Sequence, residues 1–175
     1  MMMKANCFSD KMGWDKFVAT QNYYSIASRD IEREIAPMAI SEGISIMPWS
    51  PLAGGFLSGK FTRTNEVAGE SRRDTFNFPP VDKEKAYDII DVMIRIGQSH
   101  GVTAAQVALA WVIAQPGVTS VIIGAKNLIQ LNDNINSVTL ILTSEELEEL
   151  NKISELPSEY PAWMVNRQLQ GRFPA

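Results

Sequence analysis

The sequence predicts an α/β protein, and three observations carry that prediction. Three segments, Phe17-Val18-Ala19-Thr20-Gln21, Ile44 to Trp49 and Val118 to Ile123, are short and apolar. Stretches with apolar residues at helical spacing follow them, and glycine, proline or capping residues punctuate the joins. Strands that alternate with helices in this way run parallel and lie buried.

In order along the chain, Ile31, Ile35, Met38 and Ala39 recur at helical spacing before Gly43, so a helix joins the first two strands. From Phe61 to Pro80 there is charge, Gly, Asn and a proline pair but no period, which predicts a long loop. A helix is expected from about Asp82 to His100, with Ala86, Ile89, Ile90, Met93 and Ile96 or Gly97 on one face and a stop at Gly101. Thr103 with Gln106 reads as a capping box for a helix that is apolar nearly all round up to Gln115-Pro116, and therefore buried. The third strand, Val118 to Ile123, leads to a helix over about 127–137. Thr143 with Glu146 forms a second capping box, for an acidic amphipathic helix ending near Ser154. The tail, 157–175, mixes Tyr160, Trp163, Met164 and three prolines without a clear period. No internal repeat or low-complexity tract is present, and 1–175 reads as a single domain.

At 175 residues and 45% hydrophobic content the chain can bury a sizeable core. The net charge of −4 and pI near 5.1 show no basic excess, which argues against nucleic acid as a partner. A single cysteine, Cys7, rules out an internal disulfide framework and fits a reducing compartment. The N-terminus leads into no signal-peptide pattern, and the longest apolar run, Val107 to Ala114, falls short of the roughly 20 residues a membrane helix needs. The expectation is a cytoplasmic protein with no membrane partner.

The stretch Met47-Pro48-Trp49-Ser50-Pro51-Leu52-Ala53-Gly54-Gly55-Phe56-Leu57-Ser58-Gly59-Lys60 is the most informative. A buried strand runs there into a glycine-rich loop ending in a lysine, and glycine lets the backbone approach a phosphate closely. The spacing Gly54-x4-Gly59-Lys60 matches part of the P-loop pattern, but Phe61 stands where magnesium coordination needs a Ser or Thr hydroxyl. That argues against a standard NTPase. Taken alone, the segment reads first as a phosphate-binding turn and second as a tight surface turn with a solvated lysine.

The same segment resembles the loop after strand 7 of the aldo-keto reductases, and three further blocks resemble that family in the right order. Gln21-Asn22-x-Tyr24-Ser25, followed by Arg29, Glu32 and Glu34, is similar to its strand 6 and the next helix. Gly101 to Trp111 is similar to a later helix, and Val121-Ile122-Ile123-Gly124-Ala125 with Gln130, Asp133 and Asn134 to strand 8 and the entry to a nucleotide-binding helix. The resemblance covers roughly 17–153. It implies the C-terminal half of a (β/α)8 TIM barrel, with about three parallel strands and flanking helices; a complete barrel takes about 250 residues.

The resemblance also implies a cofactor site for NADP, with NAD as the other possibility. Gln21 would meet the nicotinamide carboxamide, for which an amide side chain has both donor and acceptor. Trp49 would stack on the nicotinamide ring, with core packing as the other reading. Ser50, Pro51, Leu52, Ala53 and Gly54 would lie along the pyrophosphate, Lys60 would add positive charge, and Arg72 would close over the phosphates or else be solvated. Gly124, Lys126, Gln130, Asp133 and Asn134 would surround the adenosine half, where a helix N-terminus favours an anionic 2′-phosphate. Many family members carry an arginine where this chain has Gln130, and Lys126 partly offsets that change. No metal site is implied.

In the family, NADPH reduces aldehydes or ketones while a tyrosine acts as general acid with a lysine, an aspartate and a histidine. Those four residues lie before strand 6, so no catalytic residue is assigned here. His100, the only histidine, matches a helix end rather than the catalytic position, and neither Tyr23 nor Tyr24 matches the acid. The chain is expected to carry the cofactor-binding half, with a small-molecule carbonyl substrate only if completed to a full barrel. The alternatives are a nucleotide- or partner-binding module without catalysis and a truncated gene product. Open strand edges predict self-association or pairing with a complementary half barrel.

Overall fold

The structure is a computed structural model and describes residues 1–64 and 76–169. Helix α1 spans Met2–Met12, strand β1 Ala19–Tyr23, α2 Ile35–Ser41, β2 Ser45–Trp49, α3 Lys83–His100, α4 Ala104–Ile113, α5 Leu128–Asn136, α6 Ser144–Ile153 and α7 Ala162–Leu169. Short 3-10 turns at Asp30–Arg33, Ala53–Ser58 and Ser137–Thr139 connect them. The class is α/β with a parallel sheet, as expected.

Strands β1 and β2 pair in parallel, with Gln21 opposite Met47 and Tyr23 opposite Trp49. The third expected strand is not formed as a continuous element. The chain from Gly117 to Ile122 follows β2 through two isolated parallel bridges, Ile46 with Val118 and Trp49 with Ile122. The reason lies in Pro48. Ser45 bonds toward β1, through the Val18 carbonyl, so Ile46 and Pro48 address the other side. Ile46 donates to Gly117 and accepts from Thr119, and the Pro48 carbonyl accepts from Ile122. Proline has no N–H, so one rung is missing there. Three steps along β2 oppose four along the partner, which is the signature of a bulge.

The core lies between the sheet and helices α3, α4 and α6. Ile46 faces it from β2, and Ile89, Ile90, Met93, Ile96, Val107, Trp111 and Leu150 pack with it, each at most 1% exposed. Residues Ala104 through Val112 of α4 are all buried, as the all-round apolar pattern predicts. Helix α3 is capped by Asp82, whose carboxylate accepts from the Lys85 amide, and stops at Gly101 in the left-handed region, φ 67°. At α6 the predicted capping box is complete: Thr143 accepts from the Glu146 amide and Glu146 accepts from the Thr143 amide.

Two elements have no counterpart in the sequence reading. Helix α1 is built from Met2-Met3-Lys4-Ala5, good helix formers, and closes on left-handed Gly13, φ 66°. Helix α7 forms within the tail read as aperiodic, starting just after Pro161, whose carbonyl accepts from Met164 and Val165. Among the described residues, no helix is long and apolar enough to cross a membrane.

Candidate functional site

The carboxyl ends of β1 and β2 deliver Tyr23 and Trp49 side by side. Because side chains alternate along a strand, Gln21, Tyr23, Met47 and Trp49 share the sheet face opposite Ile46. Gln21 is exposed. The Trp49 ring lies 5.0 Å from Tyr23 at 33° and is stacked on Phe78 at 5.8 Å and 14°. The aromatic face expected to meet a ligand ring is thus matched here by Phe78.

Beyond Trp49 the backbone turns sharply. Ser50 and Ala53 hold positive φ, 52° and 49°, a conformation that costs a non-glycine residue roughly 1–2 kcal/mol. Gly54, Gly55 and Gly59 hold 66°, 93° and 81° without that cost. Local bonds support the turn: the Ala53 amide donates to the Ser50 carbonyl, the Gly54 amide to Ser50 Oγ at 3.0 Å, and the Gly55 and Leu57 amides to the Leu52 carbonyl. Ala53, Phe56 and Leu57 are buried, and Phe56 stacks on Phe61 at 5.2 Å. A Cβ on Gly59 would lie 3.0 Å from Ala104 Cβ, so the loop seats closely on the start of α4. A Cβ on Gly55 would meet nothing within 4 Å, so the loop's outer surface is open. Lys60 is exposed at its exit, and Arg63 ties the following chain to Asp88 of α3 at 2.8 Å.

The second group gathers at the N-terminus of α5. Asn127 caps the helix by accepting from the Gln130 amide, and Gln130 Oε1 accepts from the Lys126 amide at 2.9 Å. Gly124 and Lys126 are exposed. Buried Asn134 donates through Nδ2 to the Gly124 carbonyl at 3.3 Å, which fixes the corner between segment and helix. Asp133 points at α4: its Oδ2 accepts from Thr103 Oγ1 at 2.9 Å and its Oδ1 from Gln106 Nε2 at 2.6 Å. The expected capping box at α4 is therefore only half present. Thr103 accepts from the Gln106 amide, but the Gln106 side chain goes to the Asp133 carboxylate, because a charged acceptor forms the stronger bond.

The N-terminus of α4 joins the two groups, touching Gly59 on one side and holding Asp133 on the other. The Trp49–Ile122 bridge joins them a second time. Arg72 lies outside the described residues. The sequence reading did not find Tyr23 and Phe78 beside Trp49, nor Thr103 and Gln106 as the partners of Asp133. A polar Gln106 on an otherwise apolar helix was the available signal for the last.

The block Arg29, Glu32 has a structural task at the opposite side of the sheet. Arg29 makes paired bonds to Glu32 at 2.8 and 2.9 Å, donates to the Asn151 carbonyl and Ser154 Oγ of the α6 region, and lies 5.2 Å over the Trp111 ring. Tyr24 donates to Glu32 at 2.6 Å. Its burial, with that bond, pushes the hydroxyl's pKa well up. His100 ends α3 and meets Glu146 at 2.7 Å.

The carboxyl ends of the parallel strands β1 and β2 thus open, in an α/β fold, into a positive-φ, glycine-rich loop seated on the start of α4. The chain belongs to the aldo/keto reductase family, whose model matches residues 1–155. It is 35% identical over 168 residues to the uncharacterized oxidoreductase YrpG of Bacillus subtilis, covering 93% of this chain and 49% of that protein. It is 33% identical over 145 residues to versiconal hemiacetal acetate reductase of Aspergillus parasiticus, covering 80% and 41%. With protein tas of Escherichia coli it shares 32% over 154 residues, covering 88% and 44%. The chain thus spans about half the length, or less, of these curated relatives.

Proposed function

We propose that this chain is the nucleotide-binding part of an aldo/keto reductase barrel, and that with polypeptide equivalent to the rest of its relatives it reduces aldehydes or ketones using NADPH. The observation that supports the reading is that Gln21 and Trp49 share one face of the sheet, and that the chain leaves Trp49 through a positive-φ loop with an open outer surface and an exposed Lys60 at its exit. The donor set suits a dinucleotide: an exposed amide, a flat indole, an exposed ammonium and a second helix N-terminus beside Gly124 and Lys126.

When bound, the nicotinamide supplies a hydride to the substrate carbonyl. The residues of this chain bind and orient it. Gln21 offers its carboxamide as donor and acceptor, and Trp49 offers a ring face once Phe78 leaves it. The cations Lys60 and Lys126 balance phosphate charge, the latter favouring NADP over NAD. Asn134 holds the Gly124 corner to which the adenosine half binds, and Asp133 fixes α5 through Thr103 and Gln106. Exposed Cys7 suits a cytoplasmic setting.

Titration with NADPH, followed by nucleotide fluorescence, tests the reading. Lys60→Ala is expected to weaken binding by about 1–2 kcal/mol, the scale of a charge-assisted contact. Equal binding by wild type and variant would remove the assignment.

A further inference from the structure

The turns of α5 that carry Gln130, Asp133 and Asn134 serve two neighbours at once, because residues three and four apart on a helix lie side by side. Gln130 and Asn134 hold the 124–126 corner, the first by accepting from the Lys126 amide at 2.9 Å and the second by donating to the Gly124 carbonyl at 3.3 Å. Asp133 is bonded instead to the start of α4, accepting from Thr103 Oγ1 at 2.9 Å and Gln106 Nε2 at 2.6 Å. The start of α4 has no slack. A Cβ on Gly97 of α3 would lie 2.7 Å from the Val102 carbonyl oxygen, and one on Gly59 would lie 3.0 Å from Ala104 Cβ. Thr103 is the N-cap of α4, so any displacement of Thr103 moves Ala104 and the seat on which loop 50–59 rests. That loop depends on its seat: Ser50 and Ala53 hold unfavourable positive φ, and the Gly55 and Leu57 amides share one acceptor, the Leu52 carbonyl.

We propose that Asp133 is a positioning residue that couples the two ends of the nucleotide site. A phosphate held at the 124–126 corner orders the loop after β2 through α5, Asp133 and α4, so the two halves of a dinucleotide bind cooperatively. The coupling rests on the nucleotide reading and adds to it a route between the two subsites. Asp133 acts through Thr103 and Gln106 rather than on the ligand. Gln106 is only 7% exposed, and its bond to a carboxylate is charge-assisted, so this link is the strongest on the route.

Adenosine 2′-phosphate is the probe, since it can fill the corner but has no 5′-phosphate to reach the loop. Added to the 175-residue chain, it is expected to slow hydrogen exchange at the Gly55 and Leu57 amides about fivefold, the lower end of typical coupling between sites. Gln106→Leu cuts the route while keeping Asp133. It is expected to abolish that slowing and to weaken NADPH about fivefold more than it weakens adenosine 2′-phosphate. Asp133→Asn, which can still accept from Gln106, is expected to retain part of the slowing. If Asp133 touched the ligand directly, Asp133→Ala would weaken both probes alike and Gln106→Leu would spare NADPH, and that result overturns the proposal. Should Gln106→Leu fail to fold, the wild type decides. Binding of adenosine 2′-phosphate with unchanged exchange at Gly55 and Leu57 overturns the coupling alone, whereas no binding of either probe overturns the nucleotide reading and the coupling with it.

Discussion

Trp49 has an aromatic neighbour on its ring, and any flat ligand that stacks on that face must displace it. Phe78 is itself about half exposed, so it gains little from the core and is held mainly by ring contacts to Trp49 and Phe76. An aromatic pair is worth about 0.5–1.5 kcal/mol beyond burial. Phe78→Ala is therefore expected to tighten NADPH binding about two- to tenfold in the same fluorescence titration; weaker binding would make Phe78 part of the ligand's wall. Arg29 is the second residue with outsized leverage, because its guanidinium joins Glu32, Asn151 and Ser154 at once. Arg29→Ala is expected to cost about 2–3 kcal/mol in urea unfolding, the scale of lost hydrogen bonds to a charged group. Arg29→Lys should not rescue it, since an ammonium cannot make the paired bonds to Glu32. The place of Trp49 at the end of β2, just before a glycine-rich loop, was legible. Phe78 was not, because it arrives from a long loop whose path no local pattern encodes.

At the scale of elements, helices α3 and α6 are clipped together at their ends by His100 and Glu146. Burial pushes the Glu146 carboxyl up, but the bond from the Thr143 amide and the contact with His100 outweigh it, leaving its pKa below the ordinary glutamate value. A carboxylate held lower in the folded than in the unfolded chain contributes stability that is fully present above the unfolded value and is lost as pH falls through the folded one. The thermal stability of wild type should therefore fall across the acid range below the normal glutamate pKa. Glu146→Gln should flatten that dependence; an unchanged slope would count against the clip. The Thr143–Glu146 cap was readable because its chemistry is local, four residues closing on themselves. At α4 the same reading failed on Gln106, whose better partner, Asp133, comes from a distant helix. The third strand failed for a different reason: apolar content predicts burial, but Pro48, in the neighbouring strand, removes the rung that would keep the ladder regular.

For the whole molecule, the resemblance places the general acid and its three helpers outside the matched blocks. The 175-residue chain is expected to show no NADPH oxidation with broad aldehydes such as nitrobenzaldehydes, since loss of general acid catalysis alone costs about 10² to 10⁴ in rate. Absorbance at the nicotinamide band checks this, and co-expression with the first five strands of a related reductase is the arm expected to restore turnover. Robust activity from the chain alone would return Tyr23, Tyr24 and Tyr87 to consideration as the acid. The parallel order of β1 and β2 and the seating of the helices were readable from spacing and caps. The Pro48 gap carries one further consequence. The 117–122 segment is stitched to β2 by so few backbone bonds that its lowest-energy opening is local, not global. Hydrogen exchange at the Thr119 and Ile122 amides should accordingly run ahead of that in α4, making this seam the place where the loop after β2 and the start of α5 come apart. A dinucleotide spanning both would act as a suture there, and slowed exchange at those two amides is the sign by which it would be seen.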